Sequence, residues 1–157
     1  MLQRSVFVFL AAMLVFMQPV LAQSSSQAEE QAKWEDFFVG KTLISFDEGH
    51  GTQVYFMGED RHSYLFYPGN RVVLRGDFEF HWRGGRPVLC FRYGANTYNP
   101  STGEMGGNWA CRAAEGWARN VTERATGDPL GLSRRRQVPF VLSAERTSFE
   151  ELMQLAR

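Results

Sequence analysis

Two cysteines, the only ones in the chain, enclose the stretch that most restricts how it can fold. Cys90 lies in an apolar run typical of a β-strand, and Cys111 lies in a second one. The residues between them are rich in Gly, Asn, Ser and Pro, which favour turns. We therefore predict two strands, a long loop and a Cys90–Cys111 disulfide that joins the strands. A metal-binding cysteine pair is the alternative, but neither cysteine has the short spacing to a second Cys or His that such sites show.

The disulfide depends on the compartment, which the N-terminus indicates. Residues 1–22 contain one basic residue, Arg4, then an apolar run over residues 6–17, and they end with Val20 and Ala22. This order is typical of a Sec-type secretory signal that is cleaved after Ala22. An uncleaved membrane anchor is the alternative, but the apolar run is shorter than the roughly 20 residues that a span needs. We predict a periplasmic or secreted protein, in an oxidising compartment where cysteines pair.

The rest of the chain is long enough for one ordinary domain. We predict a polar segment over residues 23–33, which can continue into a short helix before Gly40, and one β-rich domain over residues 34–157. An aromatic content of 14% and fifteen glycines suit a β-rich domain with tight turns. Because 17 basic residues balance 17 acidic residues, we predict no nucleic-acid partner. We also predict no stable membrane span once the signal is cleaved.

Short apolar runs follow one another along the domain, and turns rich in Gly, Pro and Asn separate them. We predict strands over residues 41–46, 52–57, 62–67, 71–75, 78–82, 88–93 and 108–113. Since no segment of helical length separates these strands, parallel crossovers are disfavoured. The sequence therefore predicts a mainly β fold, an antiparallel meander that forms a small barrel or a strongly curved sheet, lipocalin-like or related.

The C-terminal part of the chain gives weaker signals. We interpret residues 119–136 as a long surface excursion, because they are polar and contain turn-forming residues. Residues 137–142 suit an edge strand, since Pro139 cannot donate a hydrogen bond to a neighbouring strand. Residues 143–157 have helical periodicity and contain capping-box sequences, one of which begins at Ser148. We expect this C-terminal helix to cover part of the sheet.

Histidine is the residue type with which this chain could build a metal site or an acid–base site. His50 shares a Gly-rich turn with Asp47, so a zinc site could combine these two with one of the strand histidines, His62 or His81. Ordinary turn chemistry is the alternative, since Gly-rich turns gather polar residues. Residues 23–157 contain no Gly-x-Ser-x-Gly or Ser-x-x-Lys motif. We therefore predict no catalytic residue and no cofactor.

The loop between the cysteines is the better candidate for ligand binding. It combines flat aromatic rings with amide groups, in Tyr93, Asn96, Tyr98, Asn99 and Trp109. Such a mixture suits sugar or peptide contacts, in which a ring stacks and an amide orients the ligand. Turn geometry together with a buried tryptophan is the structural alternative for the same residues.

A resemblance to known proteins supports the same fold. A Cys-Phe-x-Tyr strand followed by a Trp-x-Cys strand, behind a signal and a Gly-rich meander, resembles small exported bacterial proteins of uncharacterised families. The resemblance covers about residues 40–111 and rests on Tyr64, Phe66, Gly76, Phe80, Trp82, Cys90, Tyr93, Trp109 and Cys111. It implies a lipocalin-like or related barrel closed by two cysteines, and it implies no activity. The chain departs from this pattern in its Arg-rich segment and its C-terminal helix.

Together these features predict an exported periplasmic binding or interaction protein without catalytic activity. Its partner would be a small ligand, a glycan or another envelope protein. One alternative is an envelope inhibitor or assembly factor that acts through a surface loop, and another is a hydrolase or metal-dependent enzyme that uses His50, His62 or His81. A cavity lined by aromatic residues would favour the binding protein. A filled barrel with a protruding loop would favour the inhibitor.

Overall fold

The computed structural model describes residues 25–99 and 101–157. The predicted signal, residues 1–22, lies outside the described residues. The chain divides after Lys33 into two units, and residues 25–38 are helical (α1). None of the described helices is both long enough and apolar enough to cross a membrane.

The second unit, which begins at Trp34, contains the sheet. Its described strands are β1 (Lys41–Asp47), β2 (Gly51–Met57), β3 (His62–Phe66), β4 (Leu74–Arg83), β5 (Arg86–Tyr93), β6 (Tyr98–Asn99), β7 (Glu104–Met105), β8 (Ala110–Ala113) and β9 (Val121–Thr126). Its described helices are α2 (Ala114–Ala118), a 3-10 turn (Leu132–Arg134) and α3 (Phe149–Leu155). Seven antiparallel strands form one sheet in the order β8-β5-β4-β3-β2-β1-β9, and β6 and β7 form a separate hairpin. From β1 to β5 each strand pairs with the next, so the predicted meander is confirmed.

The sheet is curled into a half-barrel, which confirms the prediction of a strongly curved sheet. β8 and β9 lie at opposite edges of the sheet. The connection between them is short and consists of α2, Arg119 and Asn120. In a flat sheet of seven strands these edges would be about 28 Å apart, at about 4.8 Å per strand. A helix as short as α2 spans only about 7.5 Å, at about 1.5 Å per residue. The edges must therefore approach each other, which requires the sheet to curl.

Alternation along the strands gives the sheet an inner and an outer face. Leu43 lies opposite Tyr55 in the β1–β2 pairing, and Phe78 lies opposite Phe91 in the β4–β5 pairing. These side chains belong to the inner face. The buried cluster on this face comprises Trp34, Phe38, Leu43, Met57, Phe78, Leu89, Phe91 and Ala114. The burial of each large apolar side chain there contributes about 1.5–3 kcal/mol to the free energy of folding.

The C-terminal segment, which follows β9 and includes α3, covers the outer face of β1, β2 and β3. The buried outer cluster combines Ile44, Val54, Tyr64 and Phe66 from the sheet with Leu130, Leu132, Leu142 and Leu152 from that segment. Backbone hydrogen bonds hold the segment to the sheet, including one from Val73 N–H to the Arg136 carbonyl at 2.9 Å and one from Thr52 N–H to the Ala144 carbonyl at 3.2 Å. Burial on both faces explains why β3 is apolar along most of its length.

The predicted break at Gly76 is wrong. The sequence predicts two strands there, over residues 71–75 and 78–82, whereas β4 runs unbroken from Leu74 to Arg83. Glycine weakens a strand because it has no side chain to pack. Here the ring of Tyr93 on β5 occupies that space, since a Cβ at Gly76 would lie 2.6 Å from Cδ1 of Tyr93. The glycine admits a neighbouring ring and does not end the strand.

The predicted surface excursion over residues 119–136 is also wrong. Its first half forms β9, which pairs with β1. Alternate residues of β9 are exposed and polar, and they obscure the apolar period in the sequence. After β9, the Asp128 carboxylate accepts hydrogen bonds from the backbone N–H groups of Leu132 and Ser133 at 2.7 and 2.9 Å. This turn buries Leu130 and Leu132 against the sheet.

The predicted edge strand over residues 137–142 does not form. Gln137 makes an isolated bridge with Val72, and the N–H of Val138 donates to the Arg71 carbonyl at 3.2 Å. Pro139 follows directly, and it has no N–H with which to continue the pairing.

The C-terminal helix is shorter than predicted but begins at a predicted cap. It spans Phe149–Leu155, whereas the sequence predicts a helix over residues 143–157. The Ser148 hydroxyl accepts a hydrogen bond from the N–H of Glu151, and the Glu151 carboxylate accepts one from the N–H of Ser148. The capping box at Ser148 is therefore confirmed.

Cys90 and Cys111 form the predicted disulfide. The two residues lie directly opposite each other in the β5–β8 pairing, with Cα atoms 4.0 Å apart. Because Phe91, the next residue, faces inward, the bond lies on the outer face of the sheet. It fixes the edge strand β8 to β5 without occupying the interior of the half-barrel.

Replacing Cys111 with Ser should lower the free energy of unfolding by about 3 kcal/mol, because the unfolded chain then regains the freedom of a loop of about 20 residues. Urea denaturation of the oxidised wild type and of Cys111→Ser measures the difference. A reductant should lower the stability of the wild type and leave that of the variant unchanged. Two free thiols in the unfolded, unreduced wild type would contradict this prediction.

Candidate functional site

A cavity of about 360 Å³ lies inside the half-barrel. Its walls are inner-face side chains of β1, β2, β3, β5 and β8, together with α2 and the β6–β7 hairpin. This volume is within the range of about 300–1,000 Å³ that is usual for small-molecule sites. The cavity exists because the curled sheet encloses more space than its inner side chains fill.

Apolar and aromatic side chains form much of the cavity wall, with Phe91 among them. The Phe91 ring centroid lies 4.9 Å from that of Trp117, 5.9 Å from that of Tyr55 and 6.4 Å from that of Tyr93. The rings of Phe91 and Tyr93 are nearly parallel, at 2°. Trp117 is fixed from α2 by a hydrogen bond from its Nε1 to the Leu89 carbonyl at 3.1 Å. These contacts give the cavity a rigid aromatic wall.

Tyr93 extends along β5 into the cavity, where it lies against the bare backbone of Gly76. The Cβ that any other residue would carry at position 76 would come within 2.6 Å of both the Tyr93 ring and the Arg92 carbonyl. The Tyr93 hydroxyl accepts a hydrogen bond from Oγ of the buried Ser63 at 3.4 Å. Burial raises the pKa of the Tyr93 hydroxyl well above its ordinary value, although the Ser63 hydrogen bond acts in the opposite direction.

Tyr55 brings a second hydroxyl into the cavity. It donates a hydrogen bond to Oε1 of Gln53 at 2.7 Å. Burial raises the pKa of Tyr55 far above its ordinary value, Tyr93 and Asp47 raise it further, and Arg112 acts to lower it. Tyr55 lines the cavity together with Gln53, Asp47 and Arg112. It is a neutral hydroxyl throughout the physiological pH range.

The β1–β2 turn brings Asp47 and His50 to the cavity wall. Oδ1 of Asp47 accepts hydrogen bonds from the backbone N–H groups of Gly49 and His50 at 3.0 and 2.9 Å. The same oxygen lies 2.9 Å from Nδ1 of His50. Burial acts to raise the pKa of Asp47, but these hydrogen bonds and the His50 charge outweigh it, so the pKa lies below its ordinary value. Asp47 is therefore an ionised carboxylate that already has its partners.

Arg112, on the edge strand β8, brings a positive charge to the cavity wall. It lies opposite Leu89 in the β5–β8 pairing, on the inner face, and it lines the cavity. Its guanidinium carbon is 5.1 Å from the centroid of the Trp117 ring. Among residues 25–99 and 101–157, no carboxylate lies within ion-pair distance of Arg112.

The β6–β7 hairpin closes one side of the cavity. Tyr98 and Met105, both exposed at their outer surfaces, line it from the hairpin. The Oγ of Ser101 donates to the Gly49 carbonyl in the β1–β2 turn at 2.9 Å. Gly106 lies so close to the Gly94 carbonyl that no side chain fits there. The N–H of Gly107 donates to the Tyr93 carbonyl at 2.8 Å, so the hairpin is joined to β5 at its base as well as to the β1–β2 turn.

The residues proposed from sequence for ligand binding lie in different places. Tyr93, Tyr98 and Asn99 line the cavity, whereas Asn96 and Trp109 do not. Asn96 is exposed in the loop before the hairpin. The Trp109 ring lies 4.6 Å from the guanidinium carbon of Arg92, outside the cavity.

Two cavity residues, Tyr55 and Arg112, were not among the sequence candidates. Both follow from strand alternation once a register is fixed. Since Cys111 pairs with Cys90 on the outer face, its neighbours Ala110 and Arg112 must face inward. An arginine at an inward position of an edge strand is the signal that could have identified this site.

The three histidines each pair with a carboxylate of their own. His50 pairs with Asp47, as described above. Nδ1 of His62 lies 3.0 Å from Asp77, which also accepts a hydrogen bond from Arg92 at 2.8 Å. His81 pairs with Glu79 on an exposed part of β4. Within the described part of the chain, no group of three or more His, Cys, Asp or Glu side chains is placed to hold a metal ion.

Comparison of this chain with protein-family models, with curated proteins and with solved structures gives no significant match.

Gly76→Ala should destabilise the protein by about 1–3 kcal/mol, because the new methyl group would overlap the Tyr93 ring and the Arg92 carbonyl. Thermal or urea unfolding measures the loss. Gly116→Ala is the matched control, since nothing lies within 4 Å of a Cβ there, and in a helix this change is neutral or stabilising by up to about 1 kcal/mol. Equal stability of Gly76→Ala and wild type would contradict the close contact.

Tyr55→Phe should reduce the loss of stability at alkaline pH. Because the pKa of Tyr55 is raised in the folded protein, the unfolded chain releases this proton first, above about pH 10, and the free energy of unfolding then falls as pH rises. The fall should be shallower in the variant, by up to about 1.4 kcal/mol per pH unit. Urea denaturation on both sides of about pH 10 measures it. Tyr98→Phe, which removes an exposed hydroxyl, is the control, and identical slopes for Tyr55→Phe and wild type would contradict the prediction.

Proposed function

We propose that this chain is an exported binding protein, periplasmic or secreted, that holds a small amphipathic molecule in its cavity and catalyses no reaction. The observation that carries the proposal is an aromatic-lined cavity of about 360 Å³ inside the half-barrel. Apolar walls with a few convergent polar groups are typical of sites that bind small molecules.

The composition of the wall supports an amphipathic ligand. Tyr93, Trp117, Tyr98 and Met105 line the cavity and offer accessible apolar surface, which favours the transfer of an apolar group from water at about 25 cal/mol per Å² buried. Side chains with hydrogen-bonding groups share the same cavity, among them Gln53, Tyr55, Asp47 and Arg112. An amphipathic ligand can form hydrogen bonds with these groups, whereas a wholly apolar ligand would displace water from them and form none.

Two features support export. The disulfide is of the kind that persists in oxidising compartments such as the periplasm. Residues 1–22 have the order of charge, apolar run and small residues that is typical of a secretory signal.

The alternatives have less support from the described residues. An inhibitor that acts through a loop would present residues 94–108 or 119–136 away from the domain. Instead, the β6–β7 hairpin lines the cavity, and β9 pairs with β1. A hydrolase or metal-dependent enzyme that uses several histidines would need them in one site, whereas the three histidines pair with three different carboxylates, and of the three only His50 lines the cavity.

Filling the cavity tests the proposal. Ala110 lies on the inner face of β8 and lines the cavity, so Ala110→Trp should occupy the ligand space with little effect on the core. N-phenylnaphthylamine, an uncharged apolar fluorophore, is the probe. We expect it to bind the wild type with an increase in fluorescence, and we expect Ala110→Trp to weaken binding at least tenfold, or about 1.4 kcal/mol.

Ala113→Trp is the matched control, because Ala113 lies on the outer face of the same strand, opposite Val88. It adds the same ring outside the cavity and should bind the probe as the wild type does. Circular dichroism and thermal unfolding show whether both variants are folded. If the folded wild type does not bind the probe, or if Ala110→Trp binds it equally well, the proposed function is wrong.

A further inference from the structure

We propose that the ligand of this cavity carries one carboxylate on an apolar body, and that the guanidinium of Arg112 binds that carboxylate. The inference rests on the proposed function and adds the chemical class of the ligand. It begins from an arginine that lines the cavity and has no carboxylate partner among the described residues.

The surroundings of Arg112 leave its hydrogen-bond donors available. One face of the guanidinium lies over the Trp117 ring at 5.1 Å, and this contact involves the plane of the group, not its N–H donors. Arginine has five N–H donors in a planar fork that matches the two oxygens of a carboxylate. The ring therefore orients the fork while a ligand supplies the oxygens.

The other charged groups of the cavity wall already have partners. Asp47 accepts hydrogen bonds from Gly49 and His50 and pairs with the His50 ring. Glu104, on the hairpin, accepts a hydrogen bond from the Thr102 hydroxyl at 3.2 Å. Arg112 is thus the cationic side chain of the cavity for which the described residues provide no carboxylate partner.

A cationic ligand fits the cavity less well than an anionic one. A cationic group beside Asp47 would compete with His50, and Arg112 would repel it. An uncharged ligand would leave the exposed guanidinium of Arg112 to water and would form no charge-assisted hydrogen bond with it. Arg112 lies over the Trp117 ring, which contacts Phe91, so a carboxylate bound to Arg112 would lie next to the aromatic wall of the cavity.

Dodecanoate and dodecanol, which share a chain and differ in the head group, test the proposal. Each is titrated against bound N-phenylnaphthylamine in the wild type, Arg112→Gln, Arg112→Lys and Arg119→Gln. We expect the wild type to prefer dodecanoate by about tenfold or more, and Arg112→Gln to lose that preference while it binds dodecanol within about twofold of wild type. Arg112→Lys, which keeps the charge but not the fork, should be intermediate.

Arg119→Gln is the matched control, because Arg119 is exposed just after α2 and does not line the cavity. It makes the same change of charge and should leave both affinities unchanged. Raising the salt concentration should weaken dodecanoate binding to the wild type and leave dodecanol binding unchanged. Should Arg112→Gln not fold, the comparison of the two ligands on the wild type at low and high salt decides the question.

Three outcomes would overturn the proposal: equal affinity of the wild type for the two ligands, dodecanoate binding that Arg112→Gln does not change, or no binding of dodecanoate at all. If the fluorophore still binds and Ala110→Trp still blocks it, these outcomes reject the carboxylate alone, and the binding function stands. Failure of the fluorophore itself would reject the binding function.

Discussion

The short connection between the two edges of the sheet is the constraint on which the rest of the structure depends. Because α2 and two further residues join β8 to β9, seven strands cannot lie flat, and the inner face must become concave. The concave face is wider than its own side chains can fill, so a cavity remains beside the buried inner cluster. The same connection carries Trp117, whose ring contacts both Phe91 and Arg112. The short connection therefore causes the curvature of the sheet and, through it, the cavity of the candidate site.

The meander from β1 to β5 was predictable from sequence because its strands alternate visibly and Gly-rich turns separate them. The errors arise where a residue's environment comes from a distant part of the chain. The sequence predicts that Gly76 ends a strand. In the structure the strand continues, because the ring of Tyr93 fills the space that a side chain would occupy. The sequence of β9 resembles a polar loop because its exposed positions, Thr122, Arg124 and Thr126, are polar, and its pairing with β1 makes it a strand.

The site was less predictable than the fold. Tyr93, Tyr98 and Asn99 were identified from their composition, because aromatic and amide residues between the cysteines were unusual enough to notice. Arg112 was not, since one arginine among many has no distinguishing neighbour in sequence. Its inward orientation follows only from the register that the disulfide fixes between β5 and β8. A motif search cannot find such a residue, whereas a correct strand pairing can.

The attachment of the β6–β7 hairpin has a consequence for kinetics. Each of its strands has only two residues, and the Ser101–Gly49 hydrogen bond joins its tip to the β1–β2 turn. Opening this hairpin breaks few contacts, while opening the sheet would break a buried core on both faces. For the binding protein proposed above, a ligand would enter and leave by this local opening, and the hairpin, not the global stability of the domain, would set its residence time. Such a protein would combine a stable sheet with rapid exchange of its ligand.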